Sequence, residues 1–161
     1  IHCTTGSLGH GLPIAIGMAF ARKRLGKKGR IIVMISDGEC QEGTTWESLL
    51  IAAKHKLDNL LLLVDYNQIQ ALDRLEDVVP LGDLRSKFKA FNWNCDQSID
   101  GHSFEQLIPA LASKNENGVP RVVILNTIKG KGIPEFENDP VWHARKVKDA
   151  ELKIGQKALG I

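Results

Sequence analysis

The residues whose types and spacing bear chemistry are Asp37-Gly38 and Asn67-Gln68-Ile69, because each group begins within three residues of the end of a short apolar run. Ile31-Ile32-Val33-Met34-Ile35 empties into Ser36-Asp37-Gly38-Glu39-Cys40-Gln41-Glu42-Gly43, and Leu60 to Val64 ends in Asp65-Tyr66-Asn67-Gln68-Ile69. An Asp carboxylate, an Asn amide oxygen and one main-chain carbonyl make a hard, oxygen-only donor set. Such a set suits Mg²⁺, which keeps few protein ligands and takes the rest from water and phosphate. Gly38 permits close backbone approach, so its N-H can face a phosphate oxygen. The two turns read as a place to hold a magnesium diphosphate.

Positioning those turns requires a strand, helix, strand unit. Its two strands lie parallel as neighbours or near neighbours, with the polar groups at the carboxyl edge where open α/β sheets bind ligands. The continuous apolar run of 31–35 predicts a strand buried on both faces. Thr44-Thr45-Trp46-Glu47 has the pattern of a capping box, and Trp46, Leu49, Leu50, Ala53 and Leu57 recur at helical spacing behind it. Upstream, Gly6-Ser7-Leu8-Gly9-His10-Gly11 precedes a helical pattern with Leu12, Ile16, Ala19 and Phe20 on one side, and Pro13 falls in its first turn. That loop matches neither the dinucleotide fingerprint nor a P-loop, and on its own it reads as a tight turn before a buried helix.

Further along, residues 83–91 predict a short amphipathic helix and 93–95 the start of a strand. Ser103-Phe104-Glu105-Gln106 reads as a second capping box, opening a helix with Phe104, Leu107, Ile108 and Leu111 toward the core. His102 reads as a turn or interface residue. Arg121 to Asn126 is a β-branched strand, and Lys129-Gly130-Lys131-Gly132 follows as a loop that either attracts phosphate groups or is simply solvated. An irregular crossing over 133–141 leads to Trp142-His143, and a last helix begins near Lys148 or Asp149. Strands alternating with helices predict an α/β fold: a mostly parallel sheet with helices on both faces.

The 161 residues are one domain's length, with 43% hydrophobic and 25% charged content, ordinary for a globular protein. A formal charge of +2 spread without a basic stripe gives no footprint for nucleic acid. No apolar run approaches a membrane span and no signal peptide is visible. Three cysteines, Cys3, Cys40 and Cys95, form neither a disulfide framework nor a zinc pattern, which fits a reducing cytoplasm.

Asp37-Gly38 followed by Asn67 resembles the GDG…N signature of thiamine diphosphate enzymes, with Ser36 where that signature has Gly. Thr5-Gly6-Ser7-Leu8-Gly9-His10-Gly11, Asp37 to Gly43, Lys129 to Gly132 and Val141-Trp142-His143 together make the chain similar to transketolases. The likeness is to the amino-terminal subunit of the split bacterial type, and several ordered blocks are more specific than one short pattern. The resemblance implies that residues 1–161 form a single thiamine diphosphate-binding domain (the diphosphate-binding half), with a further segment upstream.

It also implies a set of roles. Asp37, Asn67 and the Ile69 carbonyl would hold Mg²⁺, or Ca²⁺ or Mn²⁺ in its place. Gly6, Leu8, Gly9, Asp37, Gly38, Glu39, Asn67 and Ile69 would contact thiamine diphosphate. His143 would lie at the substrate channel, where a neutral imidazole suits proton work near pH 7. Glu42 is open between two readings: a link between two cofactor sites at a subunit interface, or a helix N-terminal acid stabilised by the macrodipole.

The implied activity is transfer of a two-carbon ketol unit from a ketose to an aldose, both sugars or sugar phosphates. It would need a carboxy-terminal subunit carrying the pyrimidine-binding domain, in a homo- or hetero-oligomer. Two other readings remain open: another thiamine diphosphate enzyme, such as a 2-oxo acid dehydrogenase alpha subunit or a deoxyxylulose phosphate synthase, and a non-catalytic scaffold.

Overall fold

A computed structural model describes residues 1–115 and 118–161. Four parallel strands form one sheet in the order β1-β2-β4-β3: β1 Ile31–Ser36, β2 Leu60–Tyr66, β3 Asn94–Asp100 and β4 Arg121–Asn126. Parallel neighbours cannot be joined by a tight turn, so each connection crosses over the sheet through helical segments. The helices are α1 Gly11–Arg24, α2 Gly43–Lys54, α3 Leu75–Val78, α4 Leu84–Ala90, α5 Phe104–Ala112 and α6 Asp149–Leu159. β1 and β2 are neighbours, and Ser36 and Asp65 share their last rung. β2 and β4 end together as well, with Tyr66 opposite Asn126. Three strand ends thus open onto one edge.

Helices cover both faces, unequally. On one face Leu12, Ala15, Ile16 and Ala19 of α1, Leu49 and Ala52 of α2 and Leu84 and Phe88 of α4 meet Leu60, Leu62, Val64, Val122 and Ile124 in a single core. On the other, Ala110 of α5, with Leu107 and Leu111 beside it, covers Leu61, Leu63, Val123 and Leu125. Each fully buried Leu, Ile, Val or Phe among them contributes about 1.5–3 kcal/mol of transfer free energy. Capping fixes some helix ends: Asp83 Oδ1 accepts the N-H groups of Arg85 (3.0 Å) and Ser86 (3.2 Å) at the start of α4.

Several local expectations change. Among the described residues β1 is an edge strand, and its two central outward residues, Ile32 and Met34, are 48% and 59% exposed. The α5 helix does not reach over them, so an unbroken apolar run here does not mean two covered faces. Helix α2 begins at Gly43, and the Thr44 hydroxyl caps nothing; it donates to the Gly9 carbonyl at 2.9 Å. On that helix Thr45, Ser48, Leu49 and Ala52 face inward while Leu50 is exposed. Phe20 is exposed as well, its ring set edge-on to His55 at 4.7 Å. Ser103 makes no side-chain cap, and Phe104 and Ile108 point outward. Leu107 and Leu111 pack on the sheet as expected, so the helical period of α5 and half of its inward stripe are readable in the sequence.

After β4 the chain crosses through two 3-10 turns, Pro134–Phe136 and Pro140–His143, before α6. Phe136 stacks on Trp142 with centroids 3.8 Å apart, and the Arg145 guanidinium lies 4.4 Å over the same indole. Arg145 pairs with Glu151, whose other oxygen accepts the Lys148 N-H at 2.8 Å. This cluster ties the turn carrying His143 to the start of α6. Among the described residues no helix is long and apolar enough to cross a membrane.

Candidate metal and diphosphate site

The carboxyl ends of β1 and β2 are docked on each other through Asp37. Its Oδ2 accepts the Gln68 N-H at 2.6 Å, its Oδ1 accepts the Gly38 N-H at 2.8 Å, and its own N-H donates to the Asp65 carbonyl at 3.0 Å. The Gln68 backbone adopts φ 62°, a left-handed conformation unusual for a residue with a Cβ, and there its N-H meets Asp37. Asn67 Oδ1 accepts the Ile69 N-H at 3.0 Å. Ile69 is buried and bridges Arg74 across a tight turn closed by Gln70 N-H to Asp73 O and Leu75 N-H to Gln68 O. Among the described residues no hydrogen bond ends on the Ile69 carbonyl.

Each Asp37 oxygen and the Asn67 oxygen therefore carries one hydrogen bond and retains a lone pair, and the Ile69 carbonyl is open. Hard oxygens presented in this way fit a divalent cation completed by phosphate and water. Among the described residues no cluster of three or more His, Cys, Asp or Glu side chains could hold a metal, and a set with one carboxylate, one amide and one carbonyl needs none. Asp37 is 2% exposed. Burial raises its pKa above the usual carboxylate value, the backbone N-H groups of Gln68 and Gly38 oppose that rise, the Asp65 charge adds to it and Lys129 counters it. A buried acid held this way is stabilised by a cation brought beside it.

Glu39 fastens the glycine loop to this pair of turns. One carboxylate oxygen accepts the Gly9 N-H at 3.2 Å and the other the Ser36 N-H at 3.0 Å. Gly9 is held on both sides, since its carbonyl takes the Thr44 hydroxyl. Its φ is +74°, and a Cβ there would lie 2.9 Å from Glu42 Cβ and collide with Thr44 Oγ1. Gly6 and Leu8 are exposed, and the Leu8 carbonyl accepts from His10 Nδ1 at 2.9 Å. Glu42 occupies the N-cap position of α2 without a side-chain cap bond.

His143 lies on the exposed turn after the crossing, so the structure does not bond it to the Asp37 turn. Burial, and then the Lys129 charge, lower its pKa below the usual imidazole value. Lys129 thus acts on both Asp37 and His143. Cys40 is buried and its thiol is pushed up to about 12, chiefly by burial, which removes it as a nucleophile near pH 7.

Compared with known proteins, residues 1–161 match in full the family described as transketolase, thiamine diphosphate binding domain. The chain belongs to the transketolase family. It is 39% identical over 159 residues to an apulose-4-phosphate transketolase subunit from Actinobacillus succinogenes, covering 99% of this chain and 57% of that protein. It is also 39% identical over 154 residues to the 6-deoxy-6-sulfo-D-fructose transketolase subunit SqwG of a Clostridium species, covering 95% of this chain and 56% of that one. The chain therefore spans little more than half the length of these relatives. A crystal structure of transketolase from Campylobacter jejuni superposes with a TM-score of 0.89 at 28% identity, over 97% of this chain and 26% of that one.

In this transketolase domain three contributors escape a reading of side-chain types. Gln68 acts through its main chain, so its amide side chain gives no signal. Asp65 Oδ1 receives the Thr127 hydroxyl, and more weakly the Asn67 amide at 3.5 Å; an acid at the end of an apolar strand is the available clue. Thr127 gives none, because only the β2-β4 pairing brings it to that edge. Two expected contacts are already engaged within the protein: the Gly38 N-H points at Asp37, and both Glu39 oxygens take backbone N-H groups.

Proposed function

We propose that this chain is the amino-terminal, diphosphate-binding half of a two-chain transketolase, holding thiamine diphosphate through a divalent ion at the Asp37 and Asn67 turns. The observation that supports the reading is the Asp37 Oδ2 to Gln68 N-H bond of 2.6 Å, which ties the turn bearing the carboxylate to the turn bearing the Asn67 amide oxygen and the Ile69 carbonyl. Asp37, Asn67 and the Ile69 carbonyl would hold Mg²⁺, with Ca²⁺ or Mn²⁺ as substitutes. Gly6, Leu8 and Gly9 form the loop that covers the ligand, and Glu39 keeps that loop in place. Bound there, thiamine diphosphate would supply the electron sink for breaking the carbon-carbon bond beside a ketose carbonyl.

The protein's own contribution is orientation, exclusion of water and proton handling. His143, whose pKa is lowered by burial and then by the Lys129 charge, is suited to hydrogen-bond a sugar oxygen and to accept or return its proton. Lys129, and Lys131 beside its partner Glu137, would offer positive charge to a sugar phosphate, in keeping with the phosphorylated sugar named for one relative. Glu42, at the head of α2, is assigned to the subunit interface in a homo- or hetero-oligomer. The pyrimidine-binding half of the site is assigned to a carboxy-terminal partner subunit. Two buried free cysteines, Cys40 and Cys95, accord with a cytoplasmic setting.

Calorimetry with thiamine diphosphate tests this, with and without Mg²⁺ and in the presence of the complementary subunit. Binding should require the metal and should be lost in Asp37→Ala and Asn67→Ala, and the mixed subunits should transfer ketol units between sugars. Metal-independent binding that survives both substitutions would overturn the assignment.

A further inference from the structure

The turn at the end of β3, Asp100-Gly101-His102, is the one sequence block that the proposed chemistry leaves without work, and the structure connects it to the lysine loop. The Ile128 N-H points at His102 Nε2 with a separation of 2.8 Å. A backbone N-H can only donate, so Nε2 must present its lone pair and a neutral ring carries its proton on Nδ1. The turn that aims this ring is itself fixed. Asp100 Oδ1 accepts the His102 N-H at 2.8 Å, the Gly101 N-H donates to Asn126 O at 2.8 Å, and the Asp100 N-H donates to Gln106 Oε1 of α5 at 3.0 Å. Gly101 passes so close to β4 that a Cβ would lie 2.5 Å from Thr127 Cγ2 and 3.1 Å from Leu125 Cβ.

Ile128 is the last residue before Lys129, and what holds one places the other. Upstream, the Thr127 hydroxyl donates to Asp65 and the Thr127 N-H donates to Tyr66 O at 3.3 Å. Downstream, the Lys129 carbonyl accepts from Asn138 N-H at 3.0 Å, and the Ile128 carbonyl from Lys131 N-H at 3.2 Å. Of these fastenings only the His102 bond reaches the loop from the β3 side, where β3 and β4 are direct neighbours. Lys129 is half-buried, and its charge falls on Asp37 and His143.

We propose that His102 is a positioning residue: its unprotonated Nε2 takes the Ile128 N-H and so fixes the main chain from which Lys129 projects. The proposal rests on the cofactor site assigned above, but its geometry can be tested separately. It gives His102 no contact with substrate or cofactor. Its effect passes through one main-chain hydrogen bond, and the side chain that feels the change is Lys129. Glutamine can place a carbonyl oxygen near the position of Nε2, whereas alanine leaves the Ile128 N-H to water.

The experiment combines imidazole ¹⁵N spectroscopy of the wild-type chain with two variants, His102→Ala and His102→Gln. The wild type should show the Nδ1-H tautomer at neutral pH. His102→Ala should weaken magnesium thiamine diphosphate binding about 3- to 10-fold, as expected for one lost hydrogen bond, and should shift the His143 titration toward its ordinary position. His102→Gln should restore both. A protonated Nε2 in the wild type would overturn the proposal, and so would an alanine variant with unchanged affinity and unchanged His143 titration. Failure of glutamine to rescue would also refute the hydrogen-bond route. If the wild type binds no cofactor, the assignment of the site falls, and the tautomer and the His143 titration decide this inference by themselves.

Discussion

Replacing Gly9 by alanine isolates the grip between the glycine loop and the metal turns. The backbone there has φ +74°, and an L residue in the left-handed region is less favourable than glycine by about 1–2 kcal/mol. The new Cβ would also meet Glu42 Cβ at 2.9 Å and strike Thr44 Oγ1. The loop must then back away, weakening the Gly9 N-H bond to Glu39 and the Thr44 bond to the Gly9 carbonyl, each worth about 0.5–1.5 kcal/mol. Part of this is recovered by hydration of an open loop, which leaves about 2–3 kcal/mol against the docked form. If the docked loop is the binding-competent form, affinity for magnesium thiamine diphosphate falls about 30- to 150-fold.

Isothermal titration calorimetry measures that loss, while a thermal melt checks that the sheet stays folded. Adding Thr44→Ala to Gly9→Ala removes the atom that the methyl strikes, so the double variant should bind no worse than Gly9→Ala alone. An affinity within about twofold of wild type for Gly9→Ala would refute the reasoning, since so small a change lies below one hydrogen bond.

Other outcomes follow from the same geometry. Lys129→Met should raise the His143 pKa toward the usual value of about 6.5, read by NMR titration of the ring. Because the folded imidazole is held below its unfolded pKa, His143's contribution to stability is present above the unfolded value and is lost as pH falls through that window to the folded one; the variant should narrow that window. Leu62→Ala, at a fully buried position of β2, should lower stability by about 2–5 kcal/mol, seen as a lower urea midpoint with unchanged slope. Ile32→Lys with Met34→Lys should reduce self-association of this chain in light scattering, because charges on an uncovered edge discourage strand pairing.

The parts legible beforehand are those where a residue's type carries its role. An apolar run followed by Asp-Gly, and another followed by Asn, place ligand-bearing turns at strand ends because few other arrangements bury the strand and hydrate the turn. Ile31 to Ile35 cannot reveal an edge strand, since its composition is the same whether α5 covers it or stops short. Thr44 misleads because a capping threonine and a threonine that holds Gly9 look alike until the loop is folded back. Of the α5 stripe Leu107 and Leu111 pack inward while Phe104 and Ile108 point out; periodicity fixes a stripe, and only the neighbouring strands decide which part of it is covered. Gln68 and Ile128 lie outside any such reading because they act through main-chain N-H groups.

The shared rungs Ser36 with Asp65 and Tyr66 with Asn126 constrain how this molecule can change length. Inserting one residue inside β1, β2 or β4 would turn every later side chain to the opposite surface and carry Asp37, Asn67 or Thr127 away from the others. The bends at the far ends of the strands, such as residues 25–30, lie a strand's length from the ligand oxygens and share no rung with them. Engineered additions belong there, where the chain can grow without disturbing the spacing on which the chemistry depends.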